Sequence, residues 1–290
     1  MTATPVPPAR KPRDDEIDVY GITHVGKVRK ENQDQFLIAL IHRRLNVVLT
    51  SLTEQQRDAL SGEDRIGGLV MVADGVGGGE GGAEASATAL EAATEYVRQS
   101  TACFYRGDHA DAEFIDELQA AATRAHQAIV ARRDEAGRRG TMATTLTLWF
   151  GVWPAAYLLQ VGDSRFYLFR DNQLRQISRD QTMAQDLVDE GVLTRTAAFR
   201  TQFANVLSSA LGADIAAPVV TRLTSRWDQV GLLCTDGLTK HVSDERIAER
   251  LRTMTSAKQV CEQLLQDALD GGGTDNITLS VGRFVAKGPI

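Results

Sequence analysis

Short apolar clusters recur along this chain, and the spacing inside them changes from one stretch to the next. Phe36–Leu40, Leu69–Ala73, Val230–Cys234 and Ile277–Val281 are brief, mainly apolar runs. Each reads as a strand buried on both faces. Ile17–Thr23 and Gln35–Ile41 read as paired strands around the loop 24–34. Residues 43–66 are polar and contain Glu54-Gln55-Gln56-Arg57-Asp58, so they read as a partly helical insertion between two strands. Beyond the glycine-rich stretch at 77–82 the spacing becomes helical. Ala83, Ala87, Leu90, Thr94 and Val97 share a face of an alanine-rich helix running to about Arg98. Phe114, Leu118, Ala121, Ala125 and Ile129 form the stripe of a second helix over 111–133.

The spacing then returns to strand at Thr144–Phe150, Ala156–Val161, Phe166–Arg170 and Leu174–Ile177. Asp171-Asn172 is the two-residue turn of a hairpin. Residues 181–212 hold a short helix, Met183–Glu190, and a polar stretch with several arginines. Val219–Thr224 and Gln229–Cys234 are strands, 244–253 and 257–269 are helices, and Ile277–Phe284 is the last strand. Neighbouring antiparallel strands with helices in two separate blocks predict an α+β fold of two packed sheets with helices outside. No linker divides residues 16–286, which are expected to form one domain behind a disordered, proline-rich tail at 1–15.

The chain has 290 residues, 43% of them hydrophobic, enough for a large core. Its formal net charge is −6 and it has no basic block, which argues against a nucleic-acid surface. The start lacks an apolar core, so no signal peptide is expected, and no apolar stretch is long enough to span a bilayer. Three cysteines without metal-finger spacing fit a reducing cytosol, so the expected compartment is cytoplasmic.

The candidate chemistry lies at strand ends. Asn32-Gln33-Asp34 and Thr274-Asp275-Asn276 precede apolar runs, and Asp74-Gly75 and Thr235-Asp236-Gly237 end or follow them. A single Asp-Gly pair is ordinarily a turn. Four carboxylates at the ends of core strands can meet in one cleft, where they would repel unless cations neutralise them. Hard divalent cations with oxygen ligands answer that need. Asp163, in Gly162-Asp163-Ser164-Arg165, is either a hairpin residue pairing with Arg165 or an outer ligand of the same cluster. Arg29, on the loop before Asp34, carries a planar fork suited to a pair of phosphate oxygens. Gly77-Gly78-Gly79 lacks the lysine of a P-loop and reads as a turn beside the site. No histidine pair has metal-ligand spacing, and Ser164 does not stand in a nucleophile elbow.

Taken in order, Gly26–Asp34, Val72–Gly78, Gly140–Thr145, Val161–Arg165, Cys234–Leu238 and Gly273–Thr278 resemble the protein phosphatase type 2C family, particularly its bacterial members. The resemblance covers roughly residues 16–285. It implies a four-layer α-β-β-α sandwich and two Mn²⁺ or Mg²⁺ ions in a cleft at one sandwich edge. Asp34, Asp74, Asp236 and Asp275 would supply carboxylates and Gly75 a carbonyl. Asp163 would share a third, weaker ion with Asp236, Arg29 would bind phosphate, and 181–212 would be a flap. The implied reaction is hydrolysis of phosphoserine and phosphothreonine in proteins, the products of a serine/threonine kinase. Water activated between the ions attacks phosphorus in line. A monomer is expected. The rival reading is a pseudophosphatase, a binding module with the same fold. Three departures stand out. Gln33 replaces a frequent glutamate. Asp180-Gln181-Thr182 replaces D-H-S at the start of the flap. Val76 stands where eukaryotic members have a histidine, so another acid or water would protonate the leaving alkoxide.

Overall fold

The computed structural model describes residues 10–76, 80–104, 111–137, 142–198 and 201–287. The elements run β1 (Ile17–His24), β2 (Asp34–Leu45), α1 (Glu54–Leu60), β3 (Gly62–Val76), α2 (Glu80–Phe104), α3 (Asp111–Glu135) and β4 (Ala143–Thr144). They continue with β5 (Leu146–Val152), β6 (Ala155–Val161), β7 (Arg165–Arg170), β8 (Gln173–Gln176), α4 (Met183–Asp189), α5 (Arg195–Ala198) and β9 (Val219–Thr224). The chain closes with β10 (Val230–Cys234), α6 (Asp236–Thr239), α7 (Asp244–Arg252), α8 (Ala257–Asp270) and β11 (Ile277–Phe284).

Two antiparallel sheets face one another. One has the order β1-β11-β10-β7-β8; the other is β2-β3-β5-β6-β9, with β4 also paired to β3. Alternation along each strand divides the core. Outward-facing Leu69, Met71, Leu148 and Leu159 meet Ala89, Ala93, Leu118 and Ile129 of α2 and α3. On the other side, Leu232, Leu279 and Val281 meet Ile247, Leu251, Val260 and Leu264 of α7 and α8. Val72, Leu158, Phe166 and Leu233 fill the space between the sheets. These three apolar layers make the expected four-layer α-β-β-α sandwich.

Local signals set the element ends. Asp171 and Asn172 both take positive φ, 51° and 58°, as the tight turn from β7 to β8 requires. Ser243 and Ser256 accept hydrogen bonds from Arg246 N and Gln259 N, capping α7 and α8.

Four expectations are corrected. β1 does not pair with β2: it pairs with β11, from Ile17↔Phe284 to His24↔Ile277, and β2 pairs with β3 in the other sheet. The intervening loop crosses between sheets, tied down by Asn276, whose side chain accepts from Gln33 N and donates to Val25 O and Glu31 O. β2 is an edge strand, so Phe36–Ala39 are half-buried and Leu40 is exposed. The 43–66 stretch lengthens both strands, pairing Arg43↔Asp64 and Leu45↔Gly62, with α1 at its tip. On α2 the expected Leu90 and Val97 are buried, but Ala83, Ala87 and Thr94 are only half-buried, and Ala85, Ala89 and Ala93 complete the buried face instead. Alanine-rich sequence gives little contrast between faces.

The tail expected at 1–15 lies outside the described residues up to position 9. From Arg10 the chain packs on the body: Arg10 forks onto buried Glu16 at 2.7 and 2.6 Å and lies 5.4 Å over the Trp227 ring.

Candidate active site

The β2–β3 ladder places Asp34 directly opposite Asp74. Both are in phase with residues that face the inter-sheet space, Phe36 and Val72. Asp236 opens α6 immediately after β10, and Asp275 stands just before β11, so the second sheet contributes two carboxylates at the same end. Thr235 ties the sheets together: its hydroxyl donates to Asp34 Oδ2 at 2.8 Å and accepts from Thr278 N at 3.0 Å. Behind Asp74, Thr145 Oγ1 accepts from its N–H at 3.0 Å, and Thr144 Oγ1 donates to its carbonyl at 2.8 Å. These short polar contacts fix the backbone beneath each carboxylate.

Two glycines are required by close approach. A Cβ at Gly75 would lie 2.3 Å from Gly82 O, and one at Gly237 would lie 1.8 Å from Asn276 O. The Asp-Gly pairs are thus places where backbone segments from different elements touch. Gly77-Gly78-Gly79, expected to form a turn here, lies outside the described residues.

The charges are poorly balanced. Asp34 is 1% exposed, and burial pushes its carboxyl up to about 7; the Thr235 hydrogen bond opposes this and the charges of Asp236 and Asp275 add to it. Asp74 is raised well above the usual carboxylate range, first by burial and then by Asp34, Asp236, Asp163 and Asp275. Asp163 is pushed up to about 8, by burial first and then by Asp236 and Asp180. Asp74 and Asp163 are crowded by protein yet keep a solvent-accessible edge, as residues on a cleft floor do. Among the described residues, Asp34 Oδ1 and Asp236 Oδ1 are buried oxygens without a hydrogen-bond partner.

Two cations answer part of this charge. Arg29 donates through Nε to Asp275 Oδ1 at 2.7 Å and through Nη2 to Oδ2 at 3.0 Å. Lys240 Nζ bridges Asp236 Oδ2 at 2.6 Å and Asp275 Oδ2 at 2.7 Å. Burial works against the charge on Asp275, but the Arg29 and Lys240 hydrogen bonds hold its carboxyl below the usual range. Among the described residues, no three His, Cys, Asp or Glu side chains are grouped closely enough to hold a metal ion. The donors are nonetheless of the right kind: hard, anionic oxygens from both sheets, two of them orphaned and buried.

Arg29, Asp34, Asp74, Asp163, Asp236 and Asp275, the charged candidates named from the sequence, lie at this one end of the sandwich. The pairing of Asp163 with Arg165 does not occur. Arg165 instead forks onto Asp180, at 3.0 Å from Nε to Oδ1 and 2.7 Å from Nη2 to Oδ2. Gln181 anchors the 181–212 segment to the Asp163 turn: its N–H donates to Gly162 O at 3.0 Å, and its Oε1 accepts from Gly162 N at 2.7 Å. Sequence reasoning missed Lys240, Thr235 and Asn276. Lys240 had a readable signal, since it lies four residues after Asp236 at the end of a short helix. The partners of Thr235 and Asn276 are distant in sequence and left no such trace.

Comparison with known proteins places this geometry. The family model for Protein phosphatase 2C matches residues 53–270. The serine/threonine protein phosphatase PstP of Mycobacterium tuberculosis is 35% identical over 217 residues, which is 75% of this chain and 40% of that protein. The chain therefore spans about 40% of the length of that relative. The serine/threonine phosphatase stp of Listeria monocytogenes is 29% identical over 213 residues, 73% of this chain and 82% of that one. A solved structure of the PstP catalytic domain in complex with two manganese ions is 29% identical, covers 93% of this chain and 99% of that one, and has a TM-score of 0.71. The family match runs from the α1 tip through β10 and α8, and so carries Asp74, Asp163 and Asp236 together with strands of both sheets. A match of that extent involves the whole sandwich rather than an isolated motif, and this chain belongs to the protein phosphatase 2C family.

Proposed function

We propose that this chain is a metal-dependent protein serine/threonine phosphatase that uses two Mn²⁺ or Mg²⁺ ions, with a third, weaker ion beside them. The observation that carries this is the meeting of Asp34 and Asp74 from one sheet with Asp236 and Asp275 from the other, with two of their oxygens buried and unpartnered. The manganese-bound PstP catalytic domain, whose fold this chain shares, supports the choice of ion. The four aspartates would hold the paired ions with the Gly75 carbonyl, and Asp163 would share the third with Asp236. When bound, the ions supply Lewis acidity that lowers the pKa of water and balances phosphoryl charge. Arg29 is well placed to take substrate: its guanidinium is 56% exposed, and its two forward N–H groups already hold one planar oxyanion, Asp275. A phosphoryl group presents the same oxygen pair. Lys240 holds Asp236 and Asp275 in register and must yield as metal charge replaces its own. Val76 has no ionisable group, so the departing alkoxide would take its proton from another acid or from water.

The substrates on this reading are phosphoserine and phosphothreonine proteins opposed to a serine/threonine kinase, met by a monomer in the cytoplasm. No helix among the described residues is long and apolar enough to cross a membrane. A pseudophosphatase would be favoured by loss of a ligand carboxylate, and none of the set is lost. The test is hydrolysis of p-nitrophenyl phosphate and a phosphothreonine peptide by chelator-stripped protein, before and after Mn²⁺ is added. Turnover should appear only with the metal. Full turnover in verified metal-free protein would overturn the proposal.

A further inference from the structure

The sheets enclose a cavity of about 110 Å³ at the end of the sandwich away from the aspartates. Two cross-strand glycine pairs border it, Gly68↔Gly151 in one sheet and Gly231↔Gly282 in the other. Gly68 and Gly231 are in phase with Val70 and Leu233, which face the inter-sheet space, so side chains at these positions would project inward. Close packing does not force glycine at two of them. A Cβ at Gly68 would find its nearest neighbour at 3.7 Å and one at Gly282 at 3.5 Å, both ordinary contacts. Glycine inside a strand is destabilising. A glycine pair in each sheet therefore keeps open a space that alanine would begin to fill.

The lining is apolar with a charged rim. Trp149, Trp153, Phe166 and Phe284 contribute aromatic surface. Lys11, Arg65 and Arg283 also line the cavity and, among the described residues, no carboxylate does, although the chain as a whole carries net charge −6. Two polar groups at this lining lack hydrogen-bond partners among the described residues, Arg65 Nη1 and Ser225 Oγ. Their side chains are nearly enclosed: Arg65 is 8% exposed and Ser225 is 4% exposed. Asp14 Oδ1 stands 3.3 Å from Arg65 Nη1, an ion pair without hydrogen-bond geometry. Burial works against the Arg65 charge, and Asp14 offsets this only in part. Arg283, by contrast, is satisfied by Asp18 at 2.9 Å. Leu40, 40% exposed, lies at the lining and marks where the cavity meets solvent.

We propose that this cavity binds a small apolar monocarboxylate, an aromatic or short acyl acid, whose tail lies between the glycine pairs and whose carboxylate accepts hydrogen bonds from Arg65 and Ser225. The volume is of the order of the roughly 150 Å³ apolar cavity known to hold benzene. Arg65 Nη2 already donates to Pro12 O, but Nη1 and the Ser225 hydroxyl remain as donors for a carboxylate, and the aromatic walls exclude a bare inorganic anion. Along β3, Gly68 lies six residues from Asp74, ~20 Å at the strand rise, so the cavity is separate from the phosphatase cleft.

Trp149 and Trp153 provide a direct signal, since two of the chain's three tryptophans line the cavity. The experiment titrates the full chain with phenylacetate, octanoate, neutral phenylacetamide and inorganic phosphate, followed by tryptophan fluorescence and calorimetry. Saturable binding of one or both carboxylates is expected, with a Kd of about 1 mM or tighter. Inorganic phosphate should not compete. Gly282→Val should abolish binding while the variant melts cooperatively; if it does not fold, Gly68→Ala provides the same test. Arg65→Gln should weaken carboxylate binding by at least about tenfold and leave phenylacetamide unaffected. Three results would each overturn the proposal: no saturable response to either acid, undiminished binding in the folded cavity-filling variant, or phenylacetamide binding as tightly as phenylacetate.

Discussion

Replacing Asp34 with asparagine should stabilise the metal-free protein while removing its capacity for metal. Asp34 is 1% exposed; Thr235 holds Oδ2 and Oδ1 has no partner among the described residues. Burial pushes its carboxyl up to about 7, against about 3.9 in an unfolded chain. Because the folded-state pKa is the higher one, the folded protein binds more protons than the unfolded chain between those values. Its stability therefore falls as pH rises from about 4 to about 7, and the whole deficit is present above that. Three pH units correspond to about 4 kcal/mol. Asparagine is itself a buried polar group whose desolvation offsets part of this, and it retains an acceptor for Thr235. About half, ~2 kcal/mol, should remain to be recovered, or ~4–8 °C in melting temperature for a chain of this size. Calorimetric melting in EDTA should place Asp34→Asn above wild type at about pH 8, with the gap closing at about pH 4. In Mn²⁺ the order should reverse, because only wild type gains the free energy of metal binding. A variant that melts at or below wild type in EDTA at the higher pH would refute the idea of a carboxylate cluster held at high energy for a cation.

Other outcomes follow from the same geometry. Lys240→Met removes the cation that bridges Asp236 and Asp275 at 2.6 and 2.7 Å, and should tighten Mn²⁺ binding by at least about tenfold in calorimetric titration; weaker binding would mean that Lys240 only holds the ligands in position. Arg29→Ala should raise KM for a phosphopeptide about tenfold or more with a smaller change in kcat, whereas unchanged constants would return Arg29 to the solvated surface. Asp267 receives both the Arg246 and Arg250 forks between α7 and α8, and the Arg250 hydrogen bonds, ahead of those from Arg246, bring its carboxyl down to about 2. Its contribution is thus present above about pH 4 and lost as pH falls through about 2, and after solvent screening Asp267→Asn should lose about 1 kcal/mol at neutral pH in urea unfolding; an equal loss in strong acid would point to packing rather than charge.

The sequence by itself determined what depends on neighbours along the chain. Short apolar runs and helical stripes located the strands and most helices, and Phe114, Leu118, Ala121, Ala125 and Ile129 are all buried as expected. Asp171-Asn172 specified a turn because few other residue pairs tolerate positive φ twice in succession. Asp74 and Asp236 were legible because an acid before a glycine at the end of an apolar run is conspicuous, and Asp34 and Asp275 because each stands just ahead of such a run.

Only the tertiary structure decided what depends on partners distant in sequence. Alternation tells a strand which face to bury but not which strand lies beside it, so β1 was matched with β2, whereas the fold gives it to β11 at the other end of the chain. The Asp34↔Asp74 register, the Thr235 bond between sheets and the Lys240 bridge all arise when two sheets close on each other. The space between the glycine pairs has the same origin. Each pair unites residues far apart in the chain, and the cavity exists only where the two pairs face one another across the sandwich.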